Sequence, residues 1–194
     1  MGLKRIAAGL VVIAAGLALS ACSANTGNVA ATVGGHVLSE TTEQNAATAV
    51  TDILGQDPTY AQFDSMAFVL QNDIVGQLLT SGLSDMGITI TDAQRDDFWQ
   101  SNFDPGRVEY QLWMDARTKN CVVGYIDLAL VNSMVQSGAI DSNQLVGRMD
   151  DISVTVNPRY GVWDSTNWTV SSRASNPGVT TGPLADPQVF TVPA

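Results

Sequence analysis

Histidine and cysteine, which supply many catalytic groups and most transition-metal ligands, are almost missing from this sequence. His36 is the single histidine, and Cys22 and Cys121 are the two cysteines. A hydrolytic triad would have to use His36 itself, and a zinc site would have to combine His36, Cys121 and carboxylates from distant segments. His36 is more simply interpreted as an exposed turn residue. We therefore predict no catalytic residue, no metal site and no cofactor.

The sequence motifs of common enzyme families are missing as well. The chain contains no Walker loop, dinucleotide fingerprint, nucleophile elbow or calcium loop. Its adjacent acid pairs, Asp96-Asp97 and Asp150-Asp151, do not form natural carboxylate dyads because neighbouring side chains on a helix or strand diverge. These absences favour a protein that is not an enzyme. An enzyme with an unrecognised site is the least favoured hypothesis.

Basic residues are scarce. Nine Lys and Arg stand against 19 Asp and Glu, which gives a formal net charge of −10, and Lys4 and Lys119 are the only lysines. Such a chain lacks the basic patch through which proteins bind nucleic acids or anionic bilayers. We predict no nucleic-acid partner.

The N-terminus has the pattern of a bacterial lipoprotein signal. Lys4 and Arg5 precede an apolar run over residues 6–19, which is too short for a comfortable membrane span, and residues 19–22 read Leu-Ser-Ala-Cys, the form of a lipobox. Lipid attachment at Cys22 by two or three acyl chains such as palmitate would anchor the protein stably. An ordinary secretory signal with an incidental cysteine is the alternative.

This pattern predicts the domain organisation at the start of the chain and its location. Residues 1–21 are predicted to be a signal peptide and residues 22–28 a lipidated polar tether. The protein is then expected on the extracytoplasmic face of the cell membrane, held by its lipid anchor. Cys121 is left without an intramolecular partner. It is interpreted as a small buried hydrophobe, with a reactive thiol or an intermolecular bridge as the alternatives.

Hydrophobic periodicity predicts a mainly α-helical domain with a small two-stranded β element, an α+β class. The apolar residues of a central helix from Phe63 recur every three or four positions, and Gly87 is expected to end that helix. Strands are predicted at Val29–Val33, before a Gly34-Gly35 turn, and at Ile152–Val156, and they should pair because a lone strand leaves its backbone groups unpaired. The domain is predicted over residues 29–164, followed by a disordered Ser/Thr/Pro/Gly-rich tail over residues 165–194.

Three segments resemble the N-terminal chaperone domain of the SurA and PrsA-type extracytoplasmic foldases. They are residues 31–39 (Ala-Thr-Val-Gly-Gly-His-Val-Leu-Ser), residues 87–94 (Gly-Ile-Thr-Ile-Thr-Asp-Ala-Gln) after a long amphipathic helix, and residues 157–161 (Asn-Pro-Arg-Tyr-Gly). The resemblance implies a helical domain that binds unfolded or partly folded secreted proteins. The chain has no room for the parvulin isomerase domain of the full family pattern, so prolyl isomerase activity is not expected.

Aromatic and methionine side chains are the candidate peptide-binding residues, because adaptable apolar surfaces accept many partners. Each of them could instead belong to the core. The alternative function is a structural or adaptor lipoprotein that docks one specific folded envelope protein. The candidates are Trp99, Phe103, Tyr110, Trp113 and Met114, with Met66, Met86 and Met134 as further methionines.

Overall fold

The computed structural model of the protein describes residues 28–171 and shows a mainly α-helical α+β fold, as predicted. None of the helices in this range is long and apolar enough to cross a membrane. The signal peptide, Cys22, the tether as far as residue 27 and residues 172–194 lie outside the described residues. In chain order the elements are β1 (Val29–Val33), β2 (His36–Ser39), α1 (Glu40–Leu54), a 3-10 turn (Pro58–Tyr60), α2 (Ser65–Asp85), α3 (Asp92–Asn102), α4 (Val108–Met114), α5 (Lys119–Gln136), α6 (Ser142–Asp150), β3 (Val154–Val156), β4 (Val162–Asp164) and β5 (Thr169–Ser171).

The predicted pairing of the first and last strands is confirmed, but the β element is larger than expected. Strand β1 pairs antiparallel with β3, with Ala31 opposite Val156 and Val33 opposite Val154. It also pairs antiparallel with β2, so the sheet has three strands in the order β2-β1-β3. The turn between β1 and β2 uses Gly34 and Gly35, both at positive φ (55° and 87°), a conformation that glycine adopts without steric cost.

The predicted start of a disordered tail at residue 165 is wrong, because the chain forms a β4-β5 hairpin as far as residue 171. Asp164 pairs with Thr169, and Val162 pairs with Ser171. Trp168 and Val170 are buried in the core. Their burial holds the hairpin on the domain, so the folded unit extends past the expected boundary at residue 164.

Helix α2 occupies the centre of the domain, and its ends follow the sequence signals. Asp64 accepts a hydrogen bond from the Ala67 amide at its N-terminus, and Gly87 lies just after its end at a φ of 69°. Helix α3 follows, with Thr91 as its N-cap in a reciprocal capping box with Gln94.

The contact between α2 and α5 depends on two glycines that face each other. A Cβ atom on Gly124 would lie 2.0 Å from the Asn72 carbonyl oxygen, and one on Gly76 would lie 3.1 Å from the Gly124 Cα. The two backbones therefore approach more closely than any side chain would allow. This crossing divides the interior into two clusters, one against the sheet and α6 and one against α1, α3 and α4.

Candidate functional site

Four of the five predicted peptide-binding residues lie in or against the core, because Trp113 is buried like Trp99 and Tyr110 is half-buried like Phe103. Trp99 on α3 is completely buried, and the Phe103 ring stacks on it with 4.0 Å between ring centroids. The Trp99 indole nitrogen donates a hydrogen bond to the Tyr110 carbonyl oxygen at 3.4 Å. The prediction that Trp99 contacts a client is therefore wrong. The sequence did not decide this, because an apolar residue on a helix can pack in the core as readily as it can face a ligand. Phe103 is half-buried beside it.

Helix α4 brings the other three candidates, Tyr110, Trp113 and Met114, to one surface. Together with Asp96, Gln100, Ala116, Lys119 and Asn120 they line an open cavity of about 700 Å³, called here the aromatic cavity. Met114 is 71% exposed, which makes it one of three large exposed hydrophobic residues in residues 28–171. An apolar side chain kept in water at the edge of a cavity is available to a ligand.

Polar contacts hold Trp113 in place at the wall of the aromatic cavity. Its indole nitrogen donates a hydrogen bond to Asp96 Oδ1 at 2.9 Å. The Lys119 ammonium lies 3.0 Å from the ring centroid, within the range of a cation–π contact. Partial burial lowers the pKa of Lys119, against the opposing effect of Asp96. The cavity is thus apolar at Trp113 and Met114 and carries one charge of each sign.

The remaining candidate methionines do not extend this surface. Met66, Met86 and Met134 are partly buried and pack against the other hydrophobic cluster, the one that contacts the sheet. The expected methionine-rich groove is therefore reduced to Met114.

A pair of buried acids, which the sequence did not predict, lies beside the α2-α5 crossing. Glu43 on α1 is 2% exposed and Asp73 on α2 is 7% exposed, and their side chains hydrogen bond to each other. One oxygen of each carboxyl, Glu43 Oε2 and Asp73 Oδ1, has no hydrogen-bond partner. This acid pair forms part of the wall of a half-open cleft of about 290 Å³.

The environment of the acid pair favours the neutral form of its carboxyl groups. Burial, and then the charge and hydrogen bond of Glu43, raise the pKa of Asp73 to about 9. Burial also raises the pKa of Glu43. Because two carboxylates in contact cannot both ionise cheaply, the pair holds a proton at neutral pH.

The sequence did contain a signal for Glu43. Positions 43, 46, 50 and 53 are spaced by three and four residues, so Glu43 lies on the same helix face as Ala46, Val50 and Ile53, which are all buried. Asp73 falls outside the apolar stripe of α2, so the sequence gives no such signal for it. It is buried beside Glu43 of α1 and close to α5.

Cys121 on α5 is buried and unpaired. Burial is the main cause of a pKa well above the usual value, and the charges of Asp73 and Glu43 raise it further. A thiol that stays protonated is a poor nucleophile, so the structure favours the interpretation of Cys121 as a small buried hydrophobe.

His36 is exposed at the start of β2, at the rim of the cleft beside Glu43 and Asp73, which is called here the acid cleft. Within residues 28–171, no three His, Cys, Asp or Glu side chains lie close enough to hold a metal ion.

Comparisons of the chain with protein-family models, with curated proteins and with solved structures give no match. The resemblance to the chaperone domain of the SurA and PrsA-type foldases therefore rests on the motifs themselves, and the function that it implies stays a prediction.

Proposed function

We propose that this chain is a membrane-anchored, extracytoplasmic chaperone-like lipoprotein that binds non-native secreted polypeptides without prolyl isomerase activity. The observation that carries the proposal is the aromatic cavity, where Met114 is 71% exposed beside Trp113. The resemblance of residues 31–39, 87–94 and 157–161 to the foldase chaperone domain gives the class of client, and the lipobox at Cys22 gives the location.

The mechanism needs no covalent chemistry. An apolar client side chain would leave water and pack against Met114 and against the 8% of Trp113 that stays exposed. Burying one such side chain stabilises a complex by about 1.5–3 kcal/mol. Such contacts are weak and reversible, which suits a protein that must release its client. The flexible thioether of Met114 adapts to client side chains of different shapes.

The electrostatic features of the cavity support a polypeptide as its occupant. Asp96 and Lys119 place a negative and a positive group on the same rim. The Lys119 ammonium is a donor and the free oxygen of Asp96 is an acceptor, so the rim complements the donors and acceptors of an exposed backbone. Apolar side chains and unpaired backbone groups are what an unfolded segment exposes.

An aggregation assay tests this function. The purified protein at a near-equimolar ratio should slow the aggregation of several chemically denatured clients. It should leave the cis-to-trans rate of a prolyl peptide unchanged, because that reaction needs a pocket that lowers a barrier of about 20 kcal/mol. Faster isomerisation would overturn the non-enzymatic assignment. Failure with every client would favour the adaptor function, in which one folded envelope protein is the partner.

A further inference from the structure

The cleft that contains the acid pair is built from four elements, β2, α1, α2 and α5. Glu43 and Asp73 lie at its buried wall, and Gly76 and Gly124 lie where α2 and α5 cross. The other lining residues are mostly small or polar. They are His36, Val37, Leu38, Ser39, Thr42, Gln77, Thr80, Asn120 and Val123.

When the acid pair loses its proton, no group of the described residues donates a hydrogen bond to two of its oxygens. Nearly all buried polar atoms in native proteins have a partner, yet Glu43 Oε2 and Asp73 Oδ1 have none although both side chains are more than nine-tenths buried. Two acceptors without donors, at the wall of a cleft that opens to water, are chemically complementary to a ligand that carries several N–H groups.

No basic side chain of the described residues neutralises the pair. The ion pairs of residues 28–171 join Arg95, Arg107, Arg117 and Arg159 to other acids, and Lys119 lies over Trp113. The other titratable groups near the pair are His36 of β2, which lines the cleft, and the buried Cys121 thiol of α5, whose pKa the charges of the pair raise. Neither supplies a permanent positive charge.

We propose that the acid cleft binds one ammonium or guanidinium group between the carboxylates of Glu43 and Asp73. An ammonium offers three N–H donors and a guanidinium five, enough for both free oxygens. A volume of about 290 Å³ lies at the small end of ligand pockets, so the cation is a short aliphatic one. Its source is either a free amine or the side chain of a lysine or arginine in a polypeptide. This site shares Asn120 with the lining of the aromatic cavity, but neither Glu43 nor Asp73 lines that cavity, and the proposal does not depend on the proposed function.

Binding of the cation displaces the proton that the acid pair holds. Affinity is therefore expected to rise with pH as the carboxyl groups ionise. An exposed acidic surface would show no such dependence above about pH 5, because its carboxylates are already ionised there.

Backbone amide NMR of the protein tests the proposal with n-butylammonium and n-butylguanidinium as probes. Both should shift the Gly76 and Gly124 amide resonances in a saturable way, and n-butanol, which has the same chain without the charge, should not. Affinity should rise about tenfold or more between about pH 6 and about pH 9. Equal shifts with n-butanol, or no saturable shift with either cation, would overturn the proposal.

Two variants and a control separate this site from general attraction to an acidic protein. Glu43→Gln and Asp73→Asn each remove one charge and should weaken binding about tenfold, whereas Asp97→Asn on the exposed face of α3 should leave it unchanged. Both cleft variants should fold, since they relieve a buried repulsion, and their amide spectra check this. Binding that survives both cleft variants would contradict the site.

A blocked tripeptide with lysine between two glycines identifies the source of the cation. Binding tighter than that of n-butylammonium indicates a polypeptide side chain, and weaker binding indicates a free amine.

Discussion

At the scale of single residues, the acid pair makes stability depend on pH. The pKa of Asp73 rises to about 9 because the carboxyl is buried and faces Glu43. In the unfolded chain an aspartate titrates near pH 4. Between these two values the folded protein binds more protons than the unfolded chain does. The contribution of Asp73 to the free energy of unfolding is therefore largest below about pH 4, and it falls as the pH rises toward about 9.

We expect Asp73→Asn to reduce this dependence and to stabilise the protein at about pH 8, since the amide cannot ionise. Each proton bound only in the folded state contributes a slope of about 1.4 kcal/mol per pH unit. Urea unfolding at about pH 5, 6, 7 and 8 measures the slope. The exposed-acid variant Asp97→Asn serves as the control and should keep the wild-type slope. An unchanged slope in Asp73→Asn would show that the pair does not hold the proton.

A second residue-scale prediction concerns Arg95, which bridges α3 and α5. Its guanidinium donates to both oxygens of the buried Asp127 carboxyl, at 2.7 and 2.9 Å, and to the exposed Asp92 at 2.8 Å. Asp127→Ala leaves the largely buried Arg95 with only the exposed Asp92 as a partner, which should lower the free energy of unfolding by about 3 kcal/mol. Asp92→Ala should cost less than about 1 kcal/mol. Similar urea midpoints for the two variants would contradict the difference in burial.

At the scale of elements, the crossing of α2 and α5 is the contact most sensitive to volume. Gly124→Ala should destabilise the protein by several kcal/mol, because the new methyl group would meet the Asn72 carbonyl oxygen. Gly147→Ala on α6 has open space around it and should stabilise the helix by up to about 1 kcal/mol. Thermal unfolding of both variants and of the wild type measures these changes in stability. Equal destabilisation would mean that the helices do not meet at Gly124.

The elements show which parts of the fold the sequence could predict. Strands β1 and β3 were predictable because Val29–Val33 and the segment before Val156 alternate and had no other partners. Strand β2 was not, since His36 and Val37 are both exposed and give no alternation. The β4-β5 hairpin was missed because the burial of Trp168 and Val170 depends on distant parts of the chain. The segment is rich in Ser, Thr and Asn, so its composition gives no sign of these two core positions.

The same reasoning applies to the candidate sites. The sequence made Trp99 and Met114 equal candidates for peptide binding, but only the packing of the folded helices decides that Trp99 is inside and Met114 is outside. The acid pair was missed because counting apolar residues overlooks acids on a buried stripe. Glu43 shares such a stripe, whereas Asp73 is buried only through the packing of α1 and α5 beside it.

At the scale of the whole molecule, the two ends of the domain are tied together. The Asn157 side-chain amide donates to the Val29 carbonyl oxygen at 3.0 Å. Glu40 accepts hydrogen bonds from Arg159 at 2.9 Å and from the Tyr160 hydroxyl at 2.8 Å. The start of the domain, next to the predicted tether, is therefore fixed to the closing segment.

The predicted lipid anchor gives a test at this scale. Cys22→Ser should abolish metabolic labelling of the protein with a fatty acid, because the hydroxyl does not replace the thiolate in the acylation reaction. Cys121→Ser serves as the control and should label normally, since its thiol is not part of the lipobox. Unchanged labelling of Cys22→Ser would refute the lipoprotein assignment.

The most direct test of the proposed function is the affinity of an unfolded client for the protein with and without an apolar aromatic cavity. Fluorescence anisotropy of a labelled, permanently unfolded secreted protein gives this affinity. Met114→Asp should weaken binding about tenfold or more, because it places a charge where client side chains would be buried. Val162→Asp changes a similarly exposed residue on β4 (65% exposed, against 71% for Met114) and should bind the client as the wild type does. Equal effects of the two substitutions, or no binding by the wild type, would contradict the assignment of the aromatic cavity as a polypeptide-binding site.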